Sequence, residues 1–319
     1  MQNIIIGVDV SKDFLDVYVR PTSVRKRFAN NAAGIAAFVI WARPLAAHRI
    51  LFESTGPYQI AAVDALLADG LPGVVVNARQ VRAFANAMNY LAKTDTIDAA
   101  VIAHFGEVAV TKVRPLESEE NRTLREFCDR RGQLVHMLTM EKNHRHSAAV
   151  ARASAKVLQS IDRHIASLEK QIHALEQCLD RLIENSPVLK ARNEILQTIT
   201  GIGPQVARIL LVHLKELGLF TRQAIAALAG LAPFNNDSGD HSGQRHIRGG
   251  RGKVRIGMYQ AAIAAIRHCP RMKAYYAEMK AHGKPSRVAI IAIARKLLVL
   301  ANAMIRDMTP YQKPANSVC

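Results

Sequence analysis

The chain has 319 residues, of which 49% are apolar and 5% aromatic, and 43 basic against 26 acidic residues give it a net charge of +17. The apolar content excludes a disordered basic tail, and the low aromatic content disfavours binding of single strands by base stacking. The excess positive charge favours a polyanionic partner. It is concentrated in residues 191–319, which hold 19 basic and 6 acidic residues, whereas residues 1–112 and 113–190 are each near +2.

Three further protein classes are disfavoured by simple features of the sequence. The first ten residues show no secretory signal. The apolar run at residues 289–304 contains Arg295 and Lys296, so we expect no membrane contact there. The four cysteines are scattered without metal-ligand spacing, which is typical of a reducing, cytoplasmic environment.

The N-terminal region predicts strands that alternate with helices. Residues 3–10 and 14–19 predict a β-hairpin, residues 49–53 and 73–76 predict further strands, and residues 35–41 and 60–67 predict helices. This order predicts an α/β domain with a mixed sheet.

Four carboxylates occupy suggestive places in this domain. Asp9 lies near the end of the first predicted strand and Glu53 ends a later one, while Asp95 and Asp98 begin an apolar helix with i, i+3 spacing. Acids that converge from separate elements suit Mg²⁺ and phosphoryl transfer. The alternative is structural: Asp95 and Asp98 would cap the helix, and Asp9 would be an ordinary hairpin residue.

The middle segment carries a regular apolar repeat. Eight Leu and Ile residues from Leu158 to Leu182 are spaced alternately by three and four positions. This spacing predicts a coiled coil. The alternative is one amphipathic helix that packs within its own chain.

The C-terminal region has two candidate nucleic-acid elements. Gly201-Ile-Gly203 joins two helical patterns and resembles a helix-hairpin-helix turn that contacts phosphates, although a plain turn between two helices would look the same. Residues 231–255 begin as a loop rich in Gly, Asn, Asp and Ser. They then present five cations, which are Arg245, Arg248, Arg251, Lys253 and Arg255.

The glycine and arginine content of this loop suits phosphate binding. A serine in that setting could attack phosphorus, with the cations stabilising charge on the transferring group. The alternative is a non-catalytic nucleic-acid-binding loop in which Ser238-Gly239 is only a turn.

Five motifs occur together in order. They are Val8-Asp9-Val-Ser-Lys12, Glu53-Ser-Thr-Gly56, Lys93-Thr-Asp95-Thr-Ile-Asp98-Ala99, Gly201-Ile-Gly203, and Pro233 followed by Ser238-Gly239. From the first strand to about residue 305, the chain resembles the DEDD recombinases of insertion-sequence family 110, relatives of the Piv DNA invertase. The Asp-Ser-Gly followed by Gly-Gly-Arg resembles the subgroup with subterminal inverted repeats.

The resemblance implies a RuvC-like (RNase H fold) domain at 1–112, a coiled-coil segment at 113–190, a helical transposase domain at 191–307 and a tail at 308–319. It implies that Asp9, Glu53, Asp95 and Asp98 bind Mg²⁺ or Mn²⁺, and that Ser238 forms a phosphoserine link to DNA. Ser242 does not match the family position.

The resemblance also implies the partners. They are donor and target DNA, a non-coding bridge RNA, and a dimer or tetramer assembled through the coiled coil. The competing functions are a metal-dependent nuclease of the Holliday-junction resolvase type, a DNA invertase without RNA, and a non-catalytic nucleic-acid-binding scaffold.

Overall fold

The structure is a computed structural model that describes residues 3–54, 56–90, 95–109, 118–235, 243 and 245–312, with the backbone alone for 95–97. Ser238 and Ser242 lie outside the described residues. The chain divides into two compact units, Met1–Glu117 and Ser118–Cys319.

The first unit is a mixed α/β domain, as predicted. Its strands are β1 (Ile5–Val10), β2 (Phe14–Arg20), β3 (Arg25–Ala29), β4 (Arg49–Glu53) and β5 (Gly73–Val76), and its helices are α1 (Ala32–Ala42), α2 (Ile60–Ala68), α3 (Ala78–Ala87) and α4 (Asp95–Val108). The sheet order is β3-β2-β1-β4-β5. β1, β2 and β3 pair antiparallel, whereas β1, β4 and β5 pair parallel.

Helices cover both faces of this sheet. The sheet has an apolar core on each face. Alternate residues of β1 belong to different cores, because successive side chains of a strand point to opposite faces. Ile6 and Val8 pack with the apolar residues of α1 and α2, while Ile5 packs with those of α3 and α4. The central strands are therefore buried on both sides, and only their ends can present polar groups.

The second unit is mostly helical. Its helices are α5 (Glu119–Val150), α6 (Ala155–Asn185), α7 (Pro187–Gln197), α8 (Pro204–His213), α9 (Arg222–Leu228), α10 (Gly252–His268), α11 (Pro270–Ala281) and α12 (Ser286–Asp307), and two short strands, β6 (Pro233–Phe234) and β7 (His246–Ile247), lie between α9 and α10. One apolar core joins α5 and α6 to the later helices.

The apolar repeat of the middle segment lies on α6, and part of it packs against α5 of the same chain. Leu168 and Ile172 are buried together with Leu134 of α5. Ion pairs Arg131–Glu176 at 2.7 Å and Lys142–Glu169 at 2.8 Å cross between the two helices. This antiparallel hairpin is the arrangement that the alternative interpretation described, and assembly of several chains through the repeat stays a prediction.

Of the described helices, α12 is the one long and apolar enough to cross a membrane by length and composition. Its buried residues, including Ile293, Leu297 and Ala301, belong to the core of the second unit. Burial within a core explains its apolar character without a membrane.

Candidate active site and nucleic-acid interface

Asp9 and Glu53 lie at the same edge of the first unit's sheet. The parallel register of β1 and β4 pairs Val8 with Phe52. The next residues, Asp9 and Glu53, therefore lie side by side near the C-terminal ends of the two strands. Both side chains are half-buried. The Asp9 Oδ1 accepts a hydrogen bond from the backbone N–H of Val10 at 3.0 Å.

A neighbouring carboxylate on β2 is already neutralised. Asp16 pairs with Asp9 across the antiparallel ladder, and like charges in that position repel each other. Arg27 of β3 relieves the repulsion, because it donates to both Asp16 oxygens at 2.7 and 3.0 Å. Asp16 is therefore engaged by a cation on the side away from β4.

Helix α4 brings a third carboxylate to this edge. Gly7 lies two residues before Asp9 on the same face of β1. A Cβ on Gly7 would lie 2.2 Å from the carbonyl oxygen of Ala99 and 2.4 Å from the backbone nitrogen of Ala103. The backbones of β1 and α4 are thus in direct contact, and Asp98, which is half-buried, immediately precedes the contact.

The other end of α4 fixes its direction. A Cβ on Gly106 would lie 2.6 Å from a methyl group of Leu51 and 2.8 Å from one of Ile5, which is the first residue of β1. Helix α4 therefore runs antiparallel to β1, and its N-terminal end lies at the edge that carries Asp9. Asp95 is the first residue of α4, one turn before Ala99, and its side chain lies outside the described part.

The structure thus brings Asp9, Glu53 and Asp98 to one edge from three separate elements. Carboxylate oxygens are the donors that Mg²⁺ and Mn²⁺ prefer, so the chemistry of this set fits such an ion. Among the side chains that the structure describes, no group of three or more His, Cys, Asp or Glu residues is arranged to hold a metal ion. Sequence reasoning missed Gly7, although a glycine inside a strand is a known signal of close backbone approach.

The loop that carries Ser238 is closed at its base by two contacts. Strands β6 and β7 pair antiparallel, with Pro233 opposite Ile247 and Phe234 opposite His246. Gly230, which precedes β6, contacts Gly250, which follows β7, since a Cβ on Gly250 would lie 2.2 Å from the backbone nitrogen of Gly230. Both ends of the loop are therefore held together, close to the start of α10.

Three of the five predicted phosphate-binding cations have partners within the second unit. Arg251 donates to both oxygens of Glu216 at 2.6 Å, and Arg255 donates to the carbonyl of Gly249 at 2.7 Å. Lys253 pairs with Asp129 of α5 at 2.5 Å. These contacts fix the base of the loop on α5 and on the segment that follows α8, a role that the sequence pattern did not predict for these cations.

The other two cations lie on either side of β7. Arg248 is exposed and stacks over the ring of Phe234 at 5.5 Å. Arg245 is exposed, and no described residue donates to it, accepts from it or forms an ion pair with it. Of the five, these two remain the more available to an incoming phosphate.

Burial shifts the pKa of two side chains near the base of the serine loop. It raises the pKa of the Cys128 thiol to about 11, so the thiol stays protonated and is a poor nucleophile. Burial also lowers the pKa of His213 and outweighs the opposing effect of Asp129, whose carboxylate lies 3.3 Å from the imidazole. His213 is consequently neutral at physiological pH.

The two glycines of the turn between α7 and α8 have different surroundings. Gly201 has φ +100°, and a Cβ there would lie 2.4 Å from the carbonyl of Ala261 in α10. Packing alone therefore requires glycine at 201. Gly203 is exposed at the start of α8, with open space where a Cβ would be.

Two family models match the chain. The DEDD transposase model of IS110 matches residues 6–153, which include all four predicted acids. A model described as the transposase IS116/IS110/IS902 family matches residues 193–277, which include the glycine turn and the serine loop.

Related proteins come from several bacteria. The pilin gene-inverting protein of Moraxella bovis is 26% identical over 98% of this chain and 99% of its own length. A 43.6 kDa protein of insertion element IS110 from Streptomyces coelicolor is 30% identical over 49% of this chain and 38% of its own length. A 42 kDa protein of insertion element IS900 from Mycobacterium paratuberculosis is 32% identical over 46% of this chain and 38% of its own length.

Proposed function

The chain belongs to the IS110 family of transposases, and from this premise we propose that it cuts and rejoins DNA strands through a covalent serine intermediate. Enzymes of this family rearrange DNA, and so does this chain. The observation that supports the mechanism best is the approach of Asp9, Glu53 and Asp98 to one sheet edge from β1, β4 and α4.

Asp9, Glu53, Asp95 and Asp98 would hold Mg²⁺ or Mn²⁺ in this proposal. Their oxygen donors suit a hard cation, and a bound ion supplies positive charge where negative charge develops on a phosphate. The parallel pairing of β1 and β4 and the contact of α4 with Gly7 keep three of these residues on rigid elements. Rigid support matters because a displacement of about 1 Å at such a site can cost about 100-fold in rate.

Ser238 is the proposed nucleophile. Its Oγ forms a bond to phosphorus as the bond from phosphorus to one deoxyribose oxygen breaks; the serine proton leaves to solvent, and the departing oxygen takes up a proton. The phosphodiester energy is kept in the phosphoserine bond, so a strand hydroxyl can later attack phosphorus and release the serine. Arg245 and Arg248, which flank β7, would stabilise charge on the phosphate.

The remaining parts of the proposal concern partners and organisation. Donor and target DNA would lie on the basic second unit, a bridge RNA would select sequence, and the protein would act in the cytoplasm as a dimer or tetramer. The division at 1–112, 113–190, 191–307 and 308–319 belongs to the same proposal. Its first boundary lies close to Glu117, where the first compact unit ends.

A second candidate function is inversion of a DNA segment without RNA. It is favoured by similarity over 98% of the chain to a pilin gene-inverting protein. Sequencing of RNA that co-purifies with the protein separates the two candidates. A single structured RNA species favours RNA guidance, and its absence in protein that still exchanges strands favours the invertase.

The serine mechanism is tested by trapping the adduct. We expect wild-type protein with Mg²⁺ and a DNA substrate to give a protein–DNA adduct that survives denaturation, with the added mass on Ser238. Ser238→Ala should abolish the adduct, and Ser242→Ala should retain it. Asp9→Asn and Glu53→Gln should abolish strand exchange while duplex binding persists.

Cleavage by Ser238→Ala would refute the serine mechanism and favour a nuclease of the resolvase type that uses water. Unchanged strand exchange in Asp9→Asn and Glu53→Gln would refute the role of the acids. Duplex binding without cleavage by the wild-type protein under any metal condition would favour the non-catalytic scaffold.

A further inference from the structure

Helix α11 and the residues on either side of it form an exposed basic surface, here called the α11 surface. Residues 267–287 contain six Lys and Arg residues and one carboxylate, Glu278, a net charge of +5. All six cations are exposed. They are Arg267, Arg271, Lys273, Lys280, Lys284 and Arg287.

None of these six cations forms an ion pair with a carboxylate in the described part of the chain. Lys280 Nζ donates a hydrogen bond to the backbone carbonyl of Lys284 at 3.2 Å, and this bond neutralises neither side-chain charge. The cations at the base of the serine loop differ, because Arg251 and Lys253 each have an acidic partner. Concentrated positive charge without internal partners repels itself, and a bound polyanion relieves that repulsion.

A groove of about 640 Å³ runs between α10 and α11 on this surface. Its lining consists of Ile266, Arg267, Lys273, Tyr276, Ala277 and Lys280. Three cations thus border an apolar floor that contains one aromatic ring. Such a groove presents charge to phosphate oxygens and an apolar surface to the sugars between them.

The spacing of the cations suits a duplex. Lys273 and Lys280 are two helical turns apart, about 10 Å along α11. A duplex of that length carries about six phosphate charges. Several phosphates can therefore approach the groove at once.

We propose that the α11 surface holds the phosphodiester backbone of duplex DNA. This inference rests on the proposed function, because a DNA-rearranging enzyme must hold duplex DNA away from the reacting phosphate as well as at it. Contacts of Lys and Arg with phosphates carry no sequence information, so the surface contributes affinity and orientation and does not select the target.

The test compares two triple variants with the same loss of charge. The first neutralises the groove (Arg267→Gln, Lys273→Gln, Lys280→Gln). The control neutralises three exposed cations of α6 that also have no ion pair in the described structure (Lys156→Gln, Arg163→Gln, Lys170→Gln). Thermal unfolding confirms that both variants fold.

Binding of a 30-bp duplex, at roughly three turns, is measured by fluorescence anisotropy between about 50 and 200 mM salt. Loss of three phosphate contacts should reduce the slope of log affinity against log salt by about 2.7, whereas the control should change it by less than about 1. The groove variant should also lose at least about tenfold more affinity than the control at 100 mM salt.

Equal effects of the two variants would overturn the proposal. A groove variant that binds the duplex normally but loses an RNA hairpin of similar length would overturn the assignment to DNA. These results leave the proposed function intact as long as the wild-type protein binds the duplex. A wild-type protein that binds no duplex and exchanges no strands would refute the proposed function together with the surface.

Discussion

Gly7→Ala tests the contact that supports the candidate active site. The new Cβ would lie 2.2 Å from the carbonyl oxygen of Ala99 and 2.4 Å from the nitrogen of Ala103. Ordinary carbon–oxygen contacts lie near 3.3 Å, so α4 must move outward by about 1 Å. Both clashing atoms belong to the backbone and cannot rotate away. We therefore expect a loss of about 3 kcal/mol of unfolding free energy, at the upper end of typical overpacking costs.

The same displacement should reduce activity in the molecules that remain folded. It moves Asp98 away from Asp9, and an error of about 1 Å can cost about 100-fold in rate. Chemical denaturation measures the first effect, and strand exchange under conditions where the variant is folded measures the second.

Gly73→Ala is the matched control for this prediction. A Cβ on Gly73 in β5 would lie 3.6 Å from Leu66 Cβ and 3.7 Å from a methyl group of Val63, which are ordinary contacts. We expect its free energy of unfolding to change by no more than about 1 kcal/mol and its strand-exchange activity to stay nearly normal. A Gly7→Ala protein as stable and as active as the Gly73→Ala protein would refute the close packing of α4 on β1.

Two further predictions concern the second unit. Asn302 is 4% exposed, accepts from the Gly218 N–H at 2.8 Å and donates to the Phe220 carbonyl at 2.9 Å. Asn302→Ala should cost about 2–4 kcal/mol in denaturant unfolding, because two backbone groups lose their partner; a cost below about 0.5 kcal/mol would contradict this. The lowered pKa of His213 means that the unfolded chain binds more protons than the folded one as pH falls through about 6.5. The unfolding midpoint should drop between pH 7.5 and 5.5, and the drop should be smaller in His213→Gln; an equal drop in both proteins would exclude the effect.

Strands β4 and β5 were predictable from sequence, whereas the edge strand β3 was not. Residues 49–53 and 73–76 are strands at the predicted bounds, because short apolar runs between turn residues have few alternatives. β3 was missed because three consecutive cations, Arg25 to Arg27, interrupt any alternation of apolar and polar residues. Charge on an edge strand opposes pairing with other chains, so a run of cations like that of β3 is common at sheet edges.

The approach of the carboxylates was only partly predictable. The positions of Asp9 and Glu53 at strand ends follow from the local pattern, but their proximity depends on β1 and β4 being parallel neighbours. The local sequence carries no such information, because β2 and β3 separate these strands along the chain. Gly7 was the one local signal that a helix would lie against β1.

The cations of the second unit show most clearly what composition cannot distinguish. In sequence, Arg251 and Arg267 are equivalent contributors to the basic C-terminal segment. In the structure, Arg251 is held by Glu216, which lies 35 positions earlier, and Arg267 borders an open groove. A paired arginine orders the chain around it, whereas an exposed arginine without an acidic partner adds to the field that attracts a polyanion. The described base of the serine loop is therefore held by paired cations, and we expect binding of duplex DNA to depend more on the α11 surface than on those cations.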